Sequence, residues 1–143
     1  MERPETELLH AFVSRHIDAA RDAGAVADAT LATWISIDRA LQPILGKGGV
    51  AGLYRRSLHL ATDQHPWLSP ETTQASARDA DPDALHAVLA RRPTAEAQAG
   101  AASFLRHFDA LLSSLVGPAL TARLLGPVWA GNPGALNEQD TRQ

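Results

Sequence analysis

No cysteine occurs among the 143 residues, which excludes disulfides, thiolate catalysis, thiolate zinc sites and iron–sulfur clusters. Aromatic side chains are scarce, with three Trp, three Phe and one Tyr, so a core must be built mainly from Leu, Ile, Val and Ala. Lysine is nearly missing. Lys47 is the single example, and the other cations are arginines, a bias that fits a GC-rich bacterial genome. There is no surplus of positive charge either. A net charge of −3 gives no field that would gather nucleic acid or anionic lipid. No apolar run approaches the ~20 residues that span a bilayer. The first ten residues, MERPETELLH, are acidic and polar where a secretory signal is basic and then apolar. The expectation is a cytoplasmic domain with no membrane and no nucleic-acid partner.

What is present is helical periodicity. Leu8, Leu9, Phe12, Val13, His16 and Ile17 recur at the spacing of an amphipathic helix over about residues 5–23, with Gly24 as its stop. A second helix over about 26–45 places Leu31, Trp34, Ile37 or Asp38, Leu41 and Ile44 or Leu45 on one face. Gly46 ends it as a C-terminal glycine does. A third opens at Gly48 or Gly49 and turns Val50, Leu53, Tyr54, Ser57, Leu58 and Ala61 inward, closing before Pro66, since the residue preceding proline disfavours helix. Ser69-Pro70-Glu71 signals a short helix over 70–80, and Asp81-Pro82-Asp83 another through Arg92. The strongest stripe is Ala101, Phe104, Leu105, Phe108, Leu111, Leu112 and Leu115, in a helix from Thr94 to Val116. Gly117-Pro118 breaks it. A further helix over 119–125 is kinked or ended by Gly126-Pro127. The pattern predicts an all-α single-domain bundle of five or six helices over residues 1–130, followed by a disordered tail over 131–143. A faint internal echo accompanies it. Ile44-Leu45-Gly46 leads to Leu53-x-x-Arg56-x-Leu58, and Val116-Gly117 leads to Leu120-x-x-Arg123-x-Leu125, as a duplicated helical hairpin or chance would both give.

No catalytic constellation emerges. A GxSxG elbow is absent, and Ser57, Ser103, Ser113 and Ser114 fall inside helices. Asp38, in the Trp34 helix, reads as a structural ion pair. The six histidines show no HExxH or other paired metal spacing, so no metal site and no cofactor is implied. Two features remain. Gly46-Lys47-Gly48-Gly49 sets a glycine turn before a helix N-terminus, where Lys47, Gly48 and Gly49 would suit an anion. It is not a P-loop, which needs a strand before it and Ser or Thr after the lysine, and a tight corner between two helices accounts for the glycines with no ligand at all. On the following helix, Arg55, Arg56, His59 and Asp63 share the face opposite Leu53, Ser57 and Ala61. That face is a docking surface for an acidic partner or a solvated stripe.

The segments GVAGLYRRSLHLA over 49–61, Pro66-Trp67-Leu68, and LVGPALTARLLGPVW over 115–129 together resemble a group of small uncharacterised all-helical bacterial proteins. Members of that group stand beside sensory and two-component signalling genes. Gly52 takes a position where the pattern has alanine. The resemblance implies a signalling role and no reaction. The expected function is therefore a non-enzymatic regulatory or adaptor domain that docks a protein partner through Arg55, Arg56 and His59, with Trp67 and Trp129 as exposed anchors if it dimerises. The alternatives are a small-molecule or phosphate sensor at the glycine turn, and a histidine phosphotransfer-like protein using His59 or His86. Neither histidine is followed by the lysine and glycine of that acceptor pattern.

Overall fold

The computed structural model describes residues 4–68 and 82–131, and every regular element among them is helical. Helix α1 (Pro4–Val13) widens into a π-type turn at Ser14–Asp18. Helix α2 (Ala23–Ala61) is followed by a single 3₁₀ turn at Pro66–Leu68, then by α3 (Pro82–Ala90), α4 (Thr94–Val116) and α5 (Pro118–Ala130). No helix among the described residues is long and apolar enough to cross a membrane. The helix expected over 70–80 and the tail over 132–143 lie outside the described residues.

Several boundaries differ from the sequence expectation, each for a local reason. The first helix does not reach residue 23. It closes through the turn at Ser14–Asp18, and Asp22 then caps α2: its backbone is extended (φ −156°, ψ 175°) and its carboxylate accepts from the Ala25 N–H at 2.8 Å. An N-cap side chain of this kind satisfies a donor that the helix itself leaves unpaired. Gly24 is thus inside a first turn, not at a stop. At the other end of the chain, α5 continues through Gly126-Pro127 to Ala130. The proline removes one ladder hydrogen bond in the final turn without ending the helix.

The 39 residues of α2 are not one rod. Gly46 has φ 76° and ψ 163°, a region open to glycine and almost nothing else. Trp34 and Tyr54, twenty residues apart, would be separated by about 30 Å in a straight helix. Their ring centroids lie 4.8 Å apart. The helix folds back at Gly46 into two limbs, which correspond to the second and third helices read from the sequence. Gly117, between α4 and α5, takes nearly the same conformation (φ 94°, ψ 154°). Both halves of the internal echo therefore turn on a glycine of one backbone type.

Folding α2 back brings both limbs onto α4. Trp34 from the first limb and Tyr54 from the second meet Phe104 and Phe108, with Trp34–Phe108 at 5.3 Å and Tyr54–Phe104 at 5.5 Å, both edge to face. That geometry suits the ring quadrupoles. Ile37, Leu41, Val50, Leu58, Leu105 and Leu112 close around the aromatic hub. Leu9, Phe12, Val13 and Ile17 extend the core toward α5, where Phe12 and Trp129 stand 5.4 Å apart. Trp129 is fully buried and so is not the exposed anchor that its place near a helix end suggested. Trp67 is half-buried, with the Arg92 guanidinium over its ring at 5.0 Å. Of the sequence stripes, Leu115 (62% exposed) and Ile44 (52%) face solvent, while Leu45 takes the core position beside Ile44.

Candidate functional site

The second limb of α2 runs from the Gly46 fold to Ala61, and its register is set by Val50, Tyr54, Ser57, Leu58 and Ala61, all buried. Ser57 is satisfied within the helix, its hydroxyl donating to the Leu53 carbonyl at 2.7 Å, a common arrangement for hydroxyl side chains in helices. With that face inward, Arg56, His59 and Asp63 are exposed and Arg55 lies at the margin. Among the described residues none of Arg55, Arg56 and His59 is joined to a carboxylate, whereas Arg92 is committed to Glu96 and His86 to Asp28. Arg55 is further distinguished. Its Nε is buried and has no hydrogen-bond acceptor among the described residues.

The fold between the limbs is the second location. Of the three glycines, Gly46 alone has positive φ. A Cβ at Gly49 would lie 3.1 Å from the Leu45 Cβ, so this glycine permits the limbs to approach, while one at Gly48 would meet nothing within 4 Å. Lys47 is exposed at the start of the second limb. Between the limbs is a crevice of about 90 Å³ lined by Asp38, Gln42, Lys47, Val50 and Ala51. It adjoins an open depression lined by Asp38, Arg39, Gln42 and Pro43. Asp38 accepts from the Gln42 carboxamide at 2.8 Å, so the partner found for it is an amide one turn along the helix where the sequence suggested an ion pair.

The histidines are dispersed. His86 pairs with Asp28 at 2.8 Å on the surface, and no hydroxyl joins them among the described hydrogen bonds. The His16 and Phe12 rings meet at a tilt, their centroids 4.7 Å apart. Burial holds its pKa below the ordinary 6.5, the neighbouring Arg15 adds to that, and a hydrogen bond with the Gly131 backbone opposes it. No group of three or more potential metal ligands occurs among the described residues.

Three further polar groups escaped the sequence reading. Asp109 is 4% exposed, in α4. Its spacing of four from Leu105 and three from Leu112 puts it on the apolar stripe, and that is the signal that could have found it. Arg15 donates to the Trp129 carbonyl at 3.2 Å, 114 residues away, and Gln98 donates to the Asp18 carbonyl at 3.0 Å. Neither link has a local signal. No family model matches the chain, and no curated protein or solved structure matches it.

Proposed function

We propose that this chain is a non-enzymatic adaptor domain, a helical bundle of bacterial signal transduction that docks an acidic protein partner on the Arg55–Arg56–His59 face of α2. The observation that carries this reading is Arg55. A buried N–H without an acceptor costs about 1–3 kcal/mol, and here it belongs to a guanidinium lying at the edge of an exposed face. A partner carboxylate that draws the guanidinium outward from this half-buried position accepts from Nε and a terminal nitrogen together, the bidentate geometry for which guanidinium is suited. Arg56 and His59, exposed and uncommitted among the described residues, supply charge that steers encounter more than it holds the complex.

The test is capture from bacterial lysate on wild-type protein beside an Arg55→Glu/Arg56→Glu variant, read by mass spectrometry. A protein retained by the first and lost by the second is the expected result. An identical set of captured proteins on both baits sinks the proposal. A second reading, small-molecule sensing at the glycine turn, draws support from the crevice that Lys47 shares with Asp38.

A further inference from the structure

We propose that the partner surface docked on the basic face of α2 is an acidic α-helix, laid along the line Gly48, Gly52, Arg55 and His59; this rests on the docking reading above. On the second limb these residues follow one another at spacings of four, three and four, the repeat along which one helix tracks another. At 100° per residue they fall within about 60° of one another around the axis. Arg56 and Asp63 flank them, and the buried Val50, Tyr54, Ser57 and Ala61 lie on the far side. From Gly48 to His59 the line runs about 16 Å, so three turns of a partner helix cover it.

The two ends of the line differ in chemistry. Its far end carries the three cations, none of them joined to a carboxylate among the described residues, so charge complementarity calls for an acidic partner. Its near end is bare backbone. A Cβ at Gly48 or Gly52 would meet nothing within 4 Å among the described residues, so neither glycine makes room for another part of the chain. Other glycines do have such a reason: Gly46 has positive φ, Gly49 lies against Leu45, and Gly100 lies under Trp67. A glycine inside a helix costs stability relative to alanine. Gly52 carries that cost well within the limb, and no contact within the fold requires it. Bare helix backbone lets a second helix come closer than the usual axis separation of about 8–10 Å, near enough for Cα–H···O contacts. An extended acidic segment would meet the guanidiniums and leave the glycines uncovered. A helix engages both ends, with small side chains over Gly48 and Gly52 and carboxylates one to two turns further along. Asp63 then bounds the line, so the partner's carboxylates fall between Gly52 and Asp63.

The experiment is an NMR titration of the full chain, ¹⁵N-labelled, with two synthetic peptides of equal glutamate content. One is an alanine-rich helix held by a hydrocarbon staple, its glutamates along one edge; the other is proline-rich and extended. The stapled helix is expected to shift the amides of Gly48, Gly52, Arg56 and His59 and to saturate below ~1 mM, with the extended peptide at least about tenfold weaker. Gly52→Leu is expected to weaken the helix by at least about tenfold and to leave the extended peptide unchanged. Gly52→Ala fills the same space with a single methyl and keeps the test open if the leucine variant does not fold; it should weaken the helix in the same direction. Arg55→Glu/Arg56→Glu is expected to remove binding of both peptides. No binding of either peptide to wild type at ~1 mM overturns the docking reading and the helix with it. Equal affinity for the two peptides, or Gly52 variants that bind the helix as wild type does, overturns the helical partner alone.

Discussion

Replacing Gly100 with alanine sets two known effects against each other, and the structure decides which wins. Gly100 lies inside α4, where alanine is favoured over glycine by about 1 kcal/mol on backbone grounds. A Cβ built there, however, falls 2.5 Å from Cη2 and 2.7 Å from Cζ2 of Trp67, and 3.3 Å from Cδ1 of Leu68. Carbon contacts settle near 3.5–4.0 Å, so the indole must retreat by about 1 Å. It is not free to do so. Arg92 covers its face and Leu68, next in the chain, is fully buried in the core. Overpacking of this kind costs about 1–3 kcal/mol, and the net expectation for Gly100→Ala is a loss of about 1 kcal/mol. Gly52 is the internal control. It is helical, and a Cβ there would meet nothing within 4 Å, so Gly52→Ala should gain about 0.5–1 kcal/mol. In thermal unfolding followed by circular dichroism the two variants should move in opposite directions, by roughly 3–5 °C per kcal/mol for a domain of this size. A Trp67→Leu background should abolish most of the Gly100→Ala loss, because the two sites are in contact. If Gly100→Ala stabilises the protein as Gly52→Ala does, the docking of the 3₁₀ turn on α4 is refuted.

Three other expectations follow from single features. Gly46→Ala and Gly117→Ala force a side chain into backbone conformations open to glycine, and each should lower stability in urea by about 1–3 kcal/mol; wild-type midpoints would contradict the two corners. For His16, burial first and Arg15 second hold the folded pKa below the unfolded 6.5, so on acidification the unfolded chain takes up the proton first. Its contribution is complete above the unfolded value and is lost as the pH falls from there through the folded one. Stability measured across that window should therefore decline less in a His16→Asn variant than in wild type, and an equal decline would show that His16 is not the group responsible. The Trp129 Nε1 is buried without an acceptor among the described residues, so Trp129→Phe removes a donor unsatisfied there along with some volume. Its loss in chemical denaturation should stay below the ~3–5 kcal/mol of a truncation to alanine.

The helices were legible because each carries its own angular record. The stripe from Ala101 through Leu112 located α4 at Thr94–Val116 to the residue, and Gly46, Pro66 and Gly117 marked the breaks that the backbone makes. Periodicity resolves direction around a helix axis only to about one residue, and where neighbours were both apolar it could not choose. Ile44 against Leu45 is one case, and Leu115 against Val116 is another, Val116 packing on the core while Leu115 faces solvent. Asp22 was misplaced for a different reason. Gly24 two residues later looked like a stop, although an aspartate before an alanine-rich run is a start signal. On the face proposed for docking, the sequence placed Arg56, His59 and Asp63 outward, as they are found. That the Arg55 Nε is buried without an acceptor among the described residues depends on neighbours that helix spacing does not reveal.

The sequence by itself determined which segments are helical and which face of each is apolar, because both follow from interactions within four residues along the chain. The tertiary structure alone decided that α2 folds back so that Trp34 touches Tyr54, that a crevice with opposite charges opens between its limbs, and that Gly100 is small because an indole lies on it. It alone joined Arg15 to the carbonyl of Trp129. Each of these depends on which surfaces meet once the chain collapses, a choice made by burial and shape over the whole core and recorded in no single stretch of residues.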